Sequence, residues 1–139
     1  MQHDLDDVGG ARDIAQYRIE TAESDLASAI RCLEVEDYRF ANNRAYYAIF
    51  HAVSACLALK FKSFKRHGQT IGIFNKEFIH TGIFPKELGS RINEAKDVRH
   101  QSDYDDFYIV SVEETKRQVE TAKIVVAEVK KYLESQINR

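Results

Sequence analysis

Between residues 11 and 36 the apolar positions Ile19, Ala22, Leu26, Ala29, Ile30 and Leu33 recur at intervals of three and four, the period of one face of a helix. The residues before them, 1–10, are acidic and polar and close on Gly9-Gly10, so they read as a flexible lead-in. Asp37 stands where an N-cap belongs and opens a second helix that runs to about Lys62. A basic connection, Ser63 to Gly68, leads to a short helix over 69–80 that turns Ile73, Phe74 and Phe78 inward and stops at Thr81-Gly82. Pro85 suits the first turn of a fourth helix, through about Arg99, with Leu88, Ile92, Ala95 and Val98 facing the core. Residues 101–110 read as an acidic, aromatic loop. Ser111-Val112-Glu113-Glu114 then has the form of a capping box. It starts a last helix with Val119, Ala122, Val126, Val129 and Leu133 along one seam. Three long helices and two short ones, joined by short connections, predict an all-α chain folded as an antiparallel helical bundle, one domain over 11–139. No period-two strand pattern and no repeat competes with that reading.

Composition narrows the function classes more than it adds to the fold. At 139 residues the chain is long enough for one real core. Its net charge, 20 − 22 = −2, gives no global electrostatic case for nucleic acid, so any such case rests on a local patch. Cys32 and Cys56 both fall in helical patterns and read as free, buried thiols. No run approaches the ~18 continuous apolar residues of a membrane span, and the acidic N-terminus is unlike a signal peptide. A cytoplasmic location is the expectation.

The densest chemistry lies within the second helix, at Asn43-Arg44-Ala45-Tyr46-Tyr47-Ala48-Ile49-Phe50-His51-Ala52. Asn43, Arg44, Tyr47 and His51 are spaced to fall along one polar ridge, while Ala45, Ile49, Ala52, Cys56 and Leu59 form an apolar stripe. Arginine supplies a planar fork of donors for phosphate, histidine moves a proton near neutral pH, and tyrosine stacks or donates a hydrogen bond. The set suits a phosphodiester or nucleotide. It equally suits a hydrogen-bonded seam between helices, or a subunit interface.

Two further segments carry charge. In Lys60-Phe61-Lys62-Ser63-Phe64-Lys65-Arg66-His67, basic side chains alternate with phenylalanines, as where a chain grips phosphates and offers stacking surfaces. Lys62, Lys65, Arg66 and His67 are its candidate ligand contacts, against the plainer reading of a solvated, dipole-complementing helix end. In Arg99-His100-Gln101-Ser102-Asp103-Tyr104-Asp105-Asp106-Phe107, the carboxylates are placed to hold Arg99 or Arg44 by ion pairing. Asp103 and Tyr104 are further candidate contacts. A magnesium site on Asp103, Asp105 and Asp106 is the weaker reading of a loop that is acidic simply because it is solvated. No metal or cofactor is expected, since no metal-ligand, Walker or dinucleotide-binding motif occurs.

Three blocks together resemble the HEPN domain family, specifically its small stand-alone prokaryotic members. They are residues 43–52, the Arg66-His67-Gly68 step before a helix with Phe74 and Phe78, and Arg99-x-x-x-Asp103-Tyr104-Asp105-Asp106-Phe107. Their order and spacing cover nearly the whole chain. The resemblance implies a helical bundle that commonly dimerises. In many members an Arg-x(4–6)-His motif near the fourth helix forms a metal-independent ribonuclease site, with histidine as acid or base and arginine as phosphate stabiliser. It also implies, for several small members, a toxin role opposite a minimal nucleotidyltransferase. Here Arg99 matches the motif arginine, but Tyr104, Asp105 and Asp106 occupy the positions where its histidine belongs. Arg44-x6-His51 has the spacing, on the second helix instead.

The leading expectation is therefore an RNA- or nucleotide-binding module, dimeric and partnered with a minimal nucleotidyltransferase. The alternatives are a metal-independent endoribonuclease using Arg44, His51 and Arg99, and a non-catalytic helical adaptor in which the ridge is only a dimer seam. Tyr104, a phenol beside the motif arginine, is also a candidate acceptor for modification by a transferase.

Overall fold

The computed structural model describes residues 2–61, 67–105 and 108–137, with side chains at 10–60, 69–105 and 108–137. The described residues are helical throughout their regular structure: α1 (Gln2–Glu34), α2 (Tyr38–Phe61), α3 (His67–Phe74) continued by a π-helical turn (Asn75–Ile79), α4 (Lys86–Tyr104) and α5 (Val112–Ile137). The expected all-α bundle is what forms, and α2 lies at its centre, packed against α1, α3, α4 and α5.

Sequence explains that central place. Ala41, Ala45, Ala48, Ala52, Ala55 and Ala58 are all fully buried, so small side chains line α2 on several sides and let its neighbours approach closely. The predicted stripe of Ala45, Ile49, Ala52 and Cys56 is buried, with Leu59 partly so. Burial extends well beyond that stripe, to Tyr46, Phe50, Val53 and Leu57. The cysteines are both free, Cys56 buried and Cys32 half-buried, and burial pushes the Cys56 thiol far above its ordinary value.

α1 and α2 form an antiparallel hairpin whose link turns at Glu36, a left-handed residue with φ 60°. Asp37 caps α2 as predicted, accepting from the Phe40 backbone N–H at 3.5 Å. The helix at the other end of the hairpin starts earlier than the sequence suggests. α1 begins at Gln2 and passes through Gly9-Gly10, because glycine lowers helix propensity without barring helical geometry. At Gly82, φ is +83°, which ends the α3 segment where Thr81-Gly82 predicts a stop. Phe74, Phe78, Phe84 and Tyr132 then close one end of the core, with neighbouring ring centroids 5.2–6.1 Å apart. Gly89 of α4 crosses the π-helical turn so closely that a Cβ there would stand 2.9 Å from Cγ2 of Ile79.

The fourth helix corrects one expectation. It runs on to Tyr104, so residues 101–104 and the Tyr104 phenol belong to a helix rather than a loop. Two side-chain pairs one turn apart favour the extension: Arg99 with Asp103 at 3.1 Å, and the rings of His100 and Tyr104 at 4.8 Å. Pro85 sits just before the helix, as its N-cap.

The capping box forms reciprocally. Ser111 Oγ accepts from the Glu114 N–H at 3.0 Å, and Glu114 accepts from the Ser111 N–H at 3.3 Å. Tyr108 donates its hydroxyl to the same carboxylate, which clasps the α4–α5 connection onto the start of α5. That hydrogen bond is the main reason the Glu114 carboxyl is held below its ordinary value, while the Tyr108 phenol is pushed up to about 12, chiefly by burial. A carboxyl lowered on folding contributes stability above its unfolded value and loses it as pH falls through the folded one. Tyr108→Phe should therefore reduce stability at pH 7 by less than about 1 kcal/mol, for so solvent-screened a group, and lower the melting temperature slightly. Melts across a pH series should show the gap to wild type closing below the ordinary carboxyl value of 4.5. A gap that persisted at low pH would mean the clasp is held by packing instead.

Candidate functional site

The ridge predicted on α2 meets α1 on one flank and α4 on the other. Arg44 and His51 reach the same carboxylate of α1, Asp25. Arg44 Nη1 lies 3.5 Å from Oδ1, and His51 Nδ1 lies 2.7 Å from Oδ2. Asp25 is 14% exposed, against 42% for Arg44 and 30% for His51, so the carboxylate is the buried member and the guanidinium and imidazole reach toward the surface. Asn43 accepts from Arg44 at 3.4 Å.

On the other flank, Arg99 of α4 donates from Nη2 to the Tyr47 hydroxyl at 3.1 Å and pairs with Asp103, also at 3.1 Å. Its guanidinium carbon stands 4.8 Å from the Tyr46 ring centroid and 5.0 Å from that of Tyr47. Its Nε is buried with no acceptor among the described residues. Burial holds the Tyr46 phenol above its usual value, and Arg99 draws it part of the way back.

Tyr47 joins the two halves. Arg44 lies over its ring at 5.5 Å, Arg99 at 5.0 Å, and the His51 ring stacks on it with centroids 6.1 Å apart. Two guanidiniums, a phenol and an imidazole are thus held in one constellation, each cation steadied by a carboxylate. Cavities open beside it. One of about 350 Å³ is lined by Phe40, Asn43, Arg99 and Asp103, and another of about 400 Å³ by Tyr46, Lys96, Arg99, His100 and Tyr104. Arg99 and Asp103 form the wall between them. The arrangement can place phosphate oxygens against guanidinium donors beside aromatic surface. With Nδ1 engaged by Asp25, Nε2 of His51 is the ring nitrogen left for proton transfer.

The sequence-predicted residues divide clearly. Asn43, Arg44, Tyr47, His51, Arg99 and Asp103 come together. Tyr104 lies at the rim, exposed and with its ring tilted against that of His100, whose side chain leaves the helix on a different side from Arg99. Lys62, Lys65, Arg66 and the His67 side chain lie outside the described residues, as do Asp106 and Phe107. Lys60, at the head of that basic run, sets its ammonium over the Phe78 ring at 5.4 Å. The expectation that an acidic residue of 103–106 holds an arginine is met for Arg99 by Asp103. Arg44 is instead held by Asp25, which sequence reading missed, since nothing local separates Asp25 from the other acidic residues of a polar helix face. Among the described residues no group of His, Cys, Asp and Glu is placed to hold a metal ion.

The described helices include none long and apolar enough to cross a membrane. Residues 15–132 match the model of the HEPN domain. A Methanocaldococcus jannaschii protein named "Putative toxin MJ0142" is 36% identical over 115 residues, covering 83% of this chain and 78% of the relative. A Thermotoga maritima protein named "UPF0332 protein" is 34% identical over 121 residues, 87% of this chain and 92% of the relative. A second Methanocaldococcus jannaschii protein, "Putative toxin MJ0605", is 37% identical over 93 residues, 67% of this chain and 69% of the relative.

If the shared carboxylate organises the site, Asp25→Asn should cost about 1.5–3 kcal/mol, the range for hydrogen bonds to charged groups. Urea unfolding of the two proteins measures it. An unchanged midpoint would mean that Arg44 and His51 draw no stability from Asp25.

Proposed function

The chain belongs to the HEPN domain family, and we propose that it is an RNA- or nucleotide-binding member, the toxin-like partner of a minimal nucleotidyltransferase, working as a homodimer in the cytoplasm. The observation that carries the binding reading is the bracketing of Tyr47 by Arg44 and Arg99 next to open cavities. Guanidiniums fixed by Asp25 and Asp103 lose little further freedom on meeting a phosphate. The toxin role draws on the names of two relatives and on the family resemblance; the nucleotidyltransferase partner draws on the resemblance alone.

Electrophoretic shift of labelled RNA tests the binding directly. Arg99→Gln removes the donors at the centre of the site and should weaken binding at least tenfold, in keeping with about 1.5–3 kcal/mol for a charged hydrogen bond. Wild-type protein that shifted no RNA and bound no nucleotide would end this reading. Co-purification with a minimal nucleotidyltransferase tests the partner separately.

One observation favours a second reading, a metal-independent endoribonuclease. The 2.7 Å contact between His51 Nδ1 and Asp25 is the orientation a general base needs. His51 would take the proton of an RNA 2′-hydroxyl as that oxygen attacks the neighbouring phosphorus and the 5′-oxygen leaves, with Arg44 and Arg99 neutralising the charge on the phosphoryl oxygens. Incubation with labelled RNA in EDTA decides it. Cleavage by wild type and none by His51→Ala supports the enzyme, whereas cleavage undiminished in that variant removes His51 from any mechanism.

A further inference from the structure

Beyond His51 the α1–α2 seam carries another cation that the site described above does not use. Arg18 lies seven residues before Asp25 on α1, nearly two full turns, and so on the same face. It is half-buried, and its Nη1 donates to the backbone carbonyl of Ser54 at 3.2 Å, one turn beyond His51 on α2. Arg44, Arg99 and Lys130 each pair with a carboxylate, but among the described residues none pairs with Arg18. Burial lowers its guanidinium from the ordinary value with no anion offsetting the cost. A half-buried guanidinium that satisfies a carbonyl keeps both its full charge and most of its five donors for something else.

Its surroundings match that use. Tyr17, the next residue, is 70% exposed, and Ile14, one turn before Arg18, is 38% exposed. Successive helix residues project about 100° apart, so the Tyr17 ring flanks the Arg18 cation without contacting it and offers stacking surface to a base next to a held phosphate. From Arg44 to Ser54 the seam rises ten residues along α2, about 15 Å. That is too long for one phosphate and suits several linked ones.

Resting on the RNA-binding reading above, we infer that Arg18 and Tyr17 form an outer subsite, so that the α1–α2 seam takes an extended single strand of RNA running from Arg99 past Arg44 and His51 to Arg18. A mononucleotide or dinucleotide fills only the inner part. The strand must be single, since bases have to leave a duplex to stack on protein rings.

Fluorescence anisotropy with two labelled probes, a uridine dinucleotide and a uridine decanucleotide, tests this over a salt series. Wild type should bind the decanucleotide more tightly and with a steeper salt slope. Arg18→Gln and Tyr17→Ala should each weaken decanucleotide binding several-fold and leave the dinucleotide unaffected. Arg18→Gln should also reduce the salt slope by about 0.7, the loss of one phosphate contact on a single strand. Arg18→Lys should recover that slope, which separates a lost charge from a damaged fold. Wild-type decanucleotide affinity and slope in Arg18→Gln would overturn the outer subsite while leaving the inner site intact. Wild-type protein binding neither probe would overturn the functional reading itself, and the subsite with it.

Discussion

The enclosure of α2 is the constraint from which the rest of the structure follows. A helix with neighbours on several flanks leaves little of its polar surface to solvent, so most of the polar groups it turns toward those neighbours meet a partner across a helix seam, the buried Oδ1 of Asn42 being an exception among the described residues. Buried Ser54 supplies its carbonyl to Arg18, His51 and Arg44 converge on Asp25, and Tyr47 meets Arg99. The alanines that bring α1 and α4 close are the same residues that make those contacts short enough to form. The constellation is therefore built into the packing of the bundle. Its cations are held by regular helices, which favours precise placement over adaptability.

Most of the fold was legible from local patterns, because helix faces are written at intervals of three and four. The Ser111–Glu114 box was readable from two letters at the right spacing. The end of α4 was not. Residues 101–104 have the composition of a loop, but side-chain pairs one turn apart, Arg99 with Asp103 and His100 with Tyr104, keep the helix going. The ridge on α2 was legible as a ridge, whereas its partners were not. Which carboxylate Arg44 meets depends on the register between two helices, and Tyr47 and Arg99 are 52 residues apart in sequence. No local signal distinguishes Asp25, and Arg18 looks like any helix-surface arginine until Ser54 is placed beside it.

The departure from the family motif acquires a physical meaning in this geometry. Where the resemblance implies a histidine after Arg99, the chain has Tyr104, which is 77% exposed and turned toward His100. Under the endoribonuclease reading, proton transfer falls to His51 on α2, which stacks on Tyr47. The phosphate-binding arginine and the base then come from different helices, joined through one tyrosine ring. A binding site tolerates that separation easily, because a phosphate and its neighbouring base are themselves set apart. A single in-line displacement tolerates it less, since acid, base and stabilising charge must all reach one phosphorus.

Charge counting inside the site bears on the kind of ligand it takes. Arg44 and Arg99 are matched by Asp25 and Asp103, two cations against two anions, so with His51 neutral the inner constellation carries no net charge. Under the binding reading, it attracts a phosphate through directed donors more than through long-range field, in a chain whose overall charge is −2. A short ligand there gains little from low salt. Arg18 breaks the balance, as a cation on the same seam with no carboxylate partner among the described residues. Under the proposed reading, a long anionic strand finds its electrostatic gain away from the constellation and its geometric specificity within it, so that an acidic chain needs no broad basic face to hold it.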